Sequence, residues 1–235
     1  MQLREFPSAI GIVSRLLREH GPVSFARYAW YLTTAAQTGR WEWWLRDAVP
    51  LRGSVAVDAG ASFGQWSRWL ATRFDRVVAF EPNPTIRPKL RRNTPPHVHI
   101  MPYALWDSAT QLSYTTYPDS RVNRVTTHDL LHTVGPGRNG VKVPSITLDS
   151  LCLMSLDFMK VDVEGAEAEV LRGARSTLSL YHPRLIIEIH SAKAKASCER
   201  TLKSLGYTWE YRHFPFTPPG HPLHEKRLWL LTCSR

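Results

Sequence analysis

The residues most able to do chemistry cluster where apolar runs end. In VAVDAGASFGQW, residues 55–66, a run of small apolar residues closes on Asp58. Gly60 and Gly64 follow, with Ala61 behind the first, and then a helical pattern begins. A structural turn needs one glycine. An acid followed by two spaced glycines predicts a loop whose backbone a ligand can touch. The next apolar run ends in FEPN, which places Glu81 and Asn83 about twenty residues past the first glycine, where a carboxylate accepts the hydroxyls of a ribose.

Two later runs deliver more charge. In FMKVDVEGAE, Lys160, Asp162 and Glu164 are spaced by two and so share one strand face. In LIIEIH, Glu188 and His190 do the same. Such groups are costly to bury unless they are paired or functional. Lys160 reads as the partner of a carboxylate that tightens the core. Asp162, Glu164 and His190 read as catalytic candidates. The ordinary titration range of histidine suits a general base, and either acid can take that role or orient the ring. Asp162, Glu188 and His190 could instead hold a divalent ion. The sequence leaves both possibilities open.

The loop after Asp58 also narrows the ligand. It lacks the middle glycine of the G-x-G-x-x-G fingerprint that cradles a pyrophosphate, which argues against a nicotinamide dinucleotide. An acid beside it suits a ligand with a ribose, no pyrophosphate and a cationic amino-acid end. S-adenosylmethionine is such a ligand.

These residues need elements that hold them at one edge. From residue 54 onward, short apolar runs alternate with helical patterns: SVAVDAG, RVVAFEPN, HVHIMPYAL, DFMKVDVEG and RLIIEIH as strands. SFGQWSRWLATRF is expected as a helix with Phe63, Trp66, Leu70 and Phe74 on one stripe, and PTIRPKLRRN as a helix that Pro88 bends or shortens. AEAEVLRGARSTLSLY and ASCERTLKSLG are further helices. This pattern predicts an α/β fold around a mostly parallel sheet. YTWEYR and KRLWLLTCS have no helix between them, so they should pair antiparallel at the C-terminal edge. Residues 108–150 interrupt the alternation inside the main domain, 51–235. QLSYTTYP reads as an exposed strand, TVGPGRNG as a loop, and VKVPSITLDSL as a strand followed by a short helix, together a candidate substrate lid. HFPFTPPGHPLHE is a proline-rich loop able to border a site. Residues 1–50 read as a helical N-terminal extension, whose Trp/Arg-rich end is expected to pack on the main domain, with a membrane surface as the alternative.

Composition bounds the rest. The chain has 235 residues and a 43% hydrophobic fraction, enough for one domain with a real core. No apolar run has the roughly 18 residues of a membrane span, and the N-terminus lacks a signal-peptide cleavage pattern. Three scattered cysteines suit reduced thiols. The expected location is therefore cytoplasmic, with peripheral membrane contact open. The net charge of +10 attracts phosphates, acidic glycans or anionic lipids. The tryptophans sit in apolar patterns rather than interleaved with a basic stripe, which argues against a nucleic-acid partner.

Taken together and in order, VAVDAGASFGQW, VVAFEPNP, SITLDSL, FMKVDVEGAEAEVLRGA and LIIEIH resemble the FkbM family of S-adenosylmethionine-dependent methyltransferases, over roughly residues 52–212. The family's usual Gly-Ala-Asn is Gly60-Ala61-Ser62 here. The resemblance implies a class I methyltransferase (Rossmann-like) fold and O-methylation, typically of a sugar or natural-product hydroxyl, so the expected partner is a small-molecule or glycan acceptor. By position, Asp58, Gly60 and Gly64 would frame the methionine part and Glu81 the ribose. Ala104 and Leu105 would lie near the adenine, and Asp107 would meet its amino group. An amino-group methyltransferase acting on bases would show Asn/Asp-Pro-Pro-aromatic after the fourth strand, where this chain has DVEG. The alternatives are a non-enzymatic module docking through its basic surface, which cofactor binding separates from an enzyme, and a methyltransferase acting on another acceptor class.

Overall fold

The computed structural model describes residues 42–118, 130–135, 141–213 and 228–232, together with Pro22. The small apolar run at Val55 forms β1 (Gly53–Ala59), whose last five positions are buried. Gly64 leads into α1 (Gln65–Leu70), which buries Trp66, Ser67 and Leu70. The helix is shorter than expected. Thr72 and Arg73 turn back on Trp69 and Leu70, and Phe74 opens β2 (Phe74–Phe80), stacking on Phe158 at 6.0 Å. Pro88 shortens the next helix, one of the two expected outcomes, and does not bend it. It lies in the first turn of α2 (Arg87–Asn93), where a missing N–H costs nothing, so the helix starts there rather than bending.

HVHIMPYAL is two strands. β3 (Val98–Met101) ends at Pro102, which has no N–H for the ladder, and β4 (Ala104–Leu105) joins a different sheet. The inserted region supplies β5 (Gln111–Pro118), β6 (Leu130–Gly135) and β7 (Val141–Ile146), so Thr133–Gly135 of the expected loop are strand. These form a four-stranded sheet in the order β4-β7-β5-β6.

The chain then returns to the main sheet with β8 (Phe158–Val161). The single helix expected after it is two, α3 (Glu167–Arg172) and α4 (Arg175–Tyr181). The break is made by Asp149, next to the 3-10 turn Asp149–Leu151. Its carboxylate accepts from the Ser176 N–H at 3.0 Å and the Thr177 N–H at 2.8 Å, and so caps α4 from 27 residues away. This gives TLDSL a structural purpose. β9 (Arg184–Ile189), α5 (Ala192–Ser204), β10 (Trp209–His213) and β11 (Leu228–Thr232) complete the chain.

The main sheet has seven strands in the order β10-β11-β9-β8-β1-β2-β3. β3, β2, β1, β8 and β9 are parallel, and β11 runs antiparallel to both β9 and β10. The last two strands therefore pair antiparallel at the edge as expected, with β11 inserted one place inside it. Both faces are covered. Val55, Val57, Met159, Val161 and Ile187 face one apolar cluster with Val170 and Leu178, while Ala56, Phe158, Ile186 and Trp229 face another with Trp66 and Leu70. Burying each such branched or aromatic side chain contributes roughly 1.5–3 kcal/mol, which explains the continuous apolar strands.

Leu45, in the 3-10 segment Trp43–Ala48, is fully buried in the second cluster, so this end of the N-terminal extension packs on the domain. The helices expected over residues 1–41 lie outside the described residues, as do residues 119–129 and 136–140 of the insertion and 214–227 of the proline-rich loop.

Candidate functional site

The chain leaves β1 toward β2 on one side, while β8 lies on its other side, so the strand order reverses between β1 and β8. Ligands of open α/β sheets bind outside the carboxyl ends of strands at such a point. The register sets Asp58 directly beside Lys160. Lys160 Nζ stands 3.4 Å from Asp58 Oδ1 and 3.3 Å from Asp162 Oδ2, and it donates to the Gly60 carbonyl at 3.0 Å. Asp58, fully buried, also accepts from Ser67 Oγ of α1. Burial opposes the charge on Lys160, but Asp162, Asp58 and Glu42 outweigh it and hold the ammonium's pKa above its ordinary value. The expectation that Lys160 pairs with a carboxylate to tighten the core matches this geometry.

The two glycines are also fixed by the chain around them. At Gly60, with φ at +80°, an added Cβ would sit 1.9 Å from the Asp162 carbonyl. At Gly64, with φ at +87°, it would sit 2.7 Å from Leu90 of α2. Both positions are glycine because this chain's own atoms crowd them and the backbone is left-handed. Access for a ligand is not needed to account for them.

Glu81, at the end of β2, is 5% exposed. Its Oε2 accepts from the Ser62 N–H at 2.9 Å and its Oε1 from the Asn83 N–H at 2.8 Å. Burial pushes its pKa up to about 7, against the pull of those two N–H groups and of Lys160 and Arg87. Asn83 is itself buried and accepts from the Thr85 N–H and hydroxyl, which sets the turn after β2. Arg87 closes the same turn by donating to the carbonyls of Glu81 and Pro82.

Asp162 continues the line of charge into a second center. It immediately follows β8, and Glu164 lies beyond it in a left-handed turn with φ at +54°. Glu164 is thus off the strand, yet the turn brings it to the same place. His190 follows β9, the neighbour of β8. Its Nδ1 lies 2.7 Å from Glu167 Oε1, and its Nε2 lies 3.3 Å from Glu164, 3.7 Å from Asp162 and 3.9 Å from Glu188. Burial alone would lower the ring's pKa. The hydrogen bond to Glu167 and the charges of Glu188, Glu164 and Asp162 override it and push it up to about 10. These carboxylates favour the protonated ring over the neutral one. Asp162, Glu188 and His190 can each present one donor atom within 4.8 Å of the others.

Ala104, Leu105 and Asp107 follow β3, whose Met101 carbonyl accepts from the Glu81 N–H at 3.1 Å. Ala104 and Leu105 are buried in β4. Asp107, just past that strand, is held by the guanidinium of Arg172 at 2.9 Å. Sequence reasoning passed over Ser67 and Glu167. Glu167 is fully buried in the first turn of α3, among small residues in GAEAEV. An acid flanked by alanines on an otherwise apolar face was the available signal. A cavity of about 300 Å³ opens at the opposite, amino-terminal edge of the sheet, lined by Leu156, Tyr181, Arg184 and Tyr207. It touches none of the site residues named above.

The profile of the methyltransferase FkbM domain matches residues 58–212, from the acid that ends β1 to β10. The chain belongs to the FkbM methyltransferase family. A family relative, Methyltransferase 1 of Beauveria bassiana, is 23% identical over 207 residues, covering 77% of this chain and 81% of that protein. The AMB antimetabolite synthetase AmbE of Pseudomonas aeruginosa is 26% identical over 196 residues, 66% of this chain but 9% of its own length. Among solved structures, methyltransferase FkbM from Methylobacillus flagellatus KT aligns with a TM-score of 0.55 at 20% identity, over 77% of this chain and 44% of that one. This chain therefore spans less than half of that protein. A Listeria monocytogenes protein described as an S-adenosylmethionine-dependent methyltransferase aligns with a TM-score of 0.50 at 11% identity, over 85% and 99%. At such identities these structures speak to the fold, which is the class I methyltransferase fold. Among the described residues, no helix is long and apolar enough to cross a membrane.

Proposed function

We propose that this FkbM-family chain is an S-adenosylmethionine-dependent O-methyltransferase whose acceptor is a hydroxyl of a sugar, a glycan or glycolipid, or a small natural product. The observation that carries the cofactor is Glu81. An ionised carboxylate offers about four lone-pair positions. The N–H groups of Ser62 and Asn83 occupy two of them, which leaves two for the vicinal hydroxyls of a ribose. A buried acid kept at that cost, one turn from the Asp58 loop, fits an adenosyl ligand. When bound, S-adenosylmethionine supplies a methyl group on a sulfonium, which passes to the acceptor oxygen while the S–C electron pair stays on sulfur.

The chain's own residues have three tasks. Glu81 fixes the ribose, and Asp58, held by Lys160 and Ser67, keeps the loop at Gly60 and Ala61 in place. Asp162 and Glu164, 24% and 33% exposed, stand at the mouth of the cluster. Either carboxylate can accept the proton that the acceptor hydroxyl gives up as its oxygen is methylated. His190, whose Nε2 lies 3.7 and 3.3 Å from them, orients them. The choice of oxygen as acceptor rests on the family and on this pair of carboxylates. The sequence after β8, DVEG, also lacks the Pro-Pro-aromatic platform of an amino-group enzyme.

Calorimetric titration with S-adenosylhomocysteine, with NAD as control, tests the cofactor. Micromolar binding of the first and none of the second is expected. Binding of neither would overturn the proposal in favour of a docking module. Transfer of labelled methyl to a panel of hydroxyl acceptors then tests the reaction class.

A further inference from the structure

We infer that Asp162, Glu188 and His190 form a binding site for one divalent cation at the carboxyl ends of β8 and β9, and that Glu167 is the residue that turns His190 toward it. The first argument is size. One donor atom from each of the three lies within 4.8 Å of the others. Ligand bonds of about 2.0–2.4 Å put donors on one metal ion about 3 to 4.8 Å apart. The second is the contrast between the two ring nitrogens. Nδ1 is fixed at 2.7 Å by Glu167, while the three carboxylates facing Nε2 stand at 3.3, 3.7 and 3.9 Å. A proton on Nε2 makes a good hydrogen bond only near 2.8 Å. A ring of acceptors set back at these distances is spaced for an ion between them.

The third argument is Glu167 itself. It is fully buried, and its Oε2 has no hydrogen-bond partner. Keeping such a group in a core is costly. What it does there is done through Oε1, which accepts from the Gly165 N–H at 2.7 Å and holds His190 Nδ1. A buried carboxylate that fixes one histidine nitrogen and leaves the other facing oxygen donors is the arrangement that orients metal-bound imidazoles. One imidazole and two carboxylates suit an ion of the Mn2+ or Mg2+ class and leave coordination positions open. If the O-methyltransferase reading holds, an acceptor hydroxyl would take one of them and lose its proton more readily. That role rests on the reading, whereas the site does not.

The test is therefore made without cofactor. The full chain is titrated with Mn2+ by calorimetry and by the loss of the free-ion electron paramagnetic resonance signal, with Mg2+ as competitor. One saturable site per chain is expected, together with a rise in melting temperature on adding Mn2+. His190→Ala and Glu188→Gln should abolish both, with unchanged circular dichroism showing that they still fold. Glu167→Gln should weaken Mn2+ binding about 10- to 100-fold as a positioning residue, whereas Glu210→Gln on β10 should leave it unchanged. Absence of saturable binding into the millimolar range, or binding that survives His190→Ala, would overturn the site. Titration with S-adenosylhomocysteine is read separately, so a failed metal site and a failed methyltransferase reading give different results.

Discussion

Lys160 and His190 are two basic groups joined through one acid, Asp162, and they are built differently. Lys160 is closed. Its ammonium meets Asp58, Asp162 and the Gly60 carbonyl at 3.0 to 3.4 Å, on the sheet face covered by α1. His190 is tight on one side only, at 2.7 Å to Glu167, and open to three carboxylates on the other. The first arrangement joins two strand ends, those of β1 and β8, and a loop, and so serves the fold. The second sets His190 Nε2 among carboxylates at 3.3 to 3.9 Å, the spacing on which the proposed cation site rests. Substitution should separate the two by stability. Lys160→Met leaves the carboxylate of Asp58 buried without its cation, and breaking such a pair costs about 3–5 kcal/mol. His190→Gln keeps a donor toward Glu167 and should cost about 1 kcal/mol. Urea unfolding of the two variants measures both, and equal losses would erase the distinction drawn here.

A smaller effect, on binding rather than folding, should come from Glu81. Glu81→Gln keeps the shape but replaces a charged acceptor, and hydrogen bonds to charged groups carry about 1.5–3 kcal/mol. Affinity for S-adenosylhomocysteine should fall about ten- to a hundredfold, with little change in Mn2+ binding at the His190 center. The pH dependence has a definite sign. The folded pKa of Glu81 is raised from 4.5 to about 7, so the folded protein holds this proton between those values while the unfolded chain has lost it. The stability contribution of Glu81 is therefore largest below pH 4.5 and falls as pH rises to about 7. Cofactor affinity runs the other way. It should rise with pH up to about 7, where the ionised form becomes the acceptor, and be flat in Glu81→Gln. Calorimetry at stepped pH separates the two trends.

The parallel sheet, the antiparallel pairing of the last two strands and the main run of charges were legible because they rest on local patterns. Continuous apolar runs, turn glycines and a spacing of two carry that information in a few residues each. What escaped depends on distant partners. The crowding at the two glycines is one such feature, because nothing local reveals that the Asp162 carbonyl or Leu90 meets them. The surroundings of His190 were hidden for the same reason. Its ordinary range describes a solvated ring, and the four carboxylates that shift it come from the β8–α3 segment as well as from its own strand. Glu167 was passed over because its partner is 23 residues away. Glu164, by contrast, was placed correctly for a reason that fails in detail. It leaves the strand, and a left-handed turn returns it to the site.

Asp149 offers the mildest test, and it sharpens the comparison from the structural side. Like Glu167, it is an acid whose partners lie far along the chain. Glu167 holds an imidazole, whereas Asp149 meets backbone N–H groups and a hydroxyl: Ser176 and Thr177 at the start of α4. Its partial burial raises the cost of charge, but those donors win and hold its pKa below the ordinary 3.8. Its contribution to stability is therefore present above pH 3.8 and lost as pH falls through the depressed folded value. Asp149→Ala removes a helix cap, which costs about 1 kcal/mol, and the cost should shrink in acid as the wild-type carboxyl protonates. Mn2+ and S-adenosylhomocysteine affinities should stay as in the wild type. Melting curves at neutral and acid pH, beside one binding titration of each ligand, check this. A loss of Mn2+ binding in Asp149→Ala would mean that the α3–α4 break also sets the position of Glu167, and the boundary between the scaffold and the His190 center would have to be drawn further out.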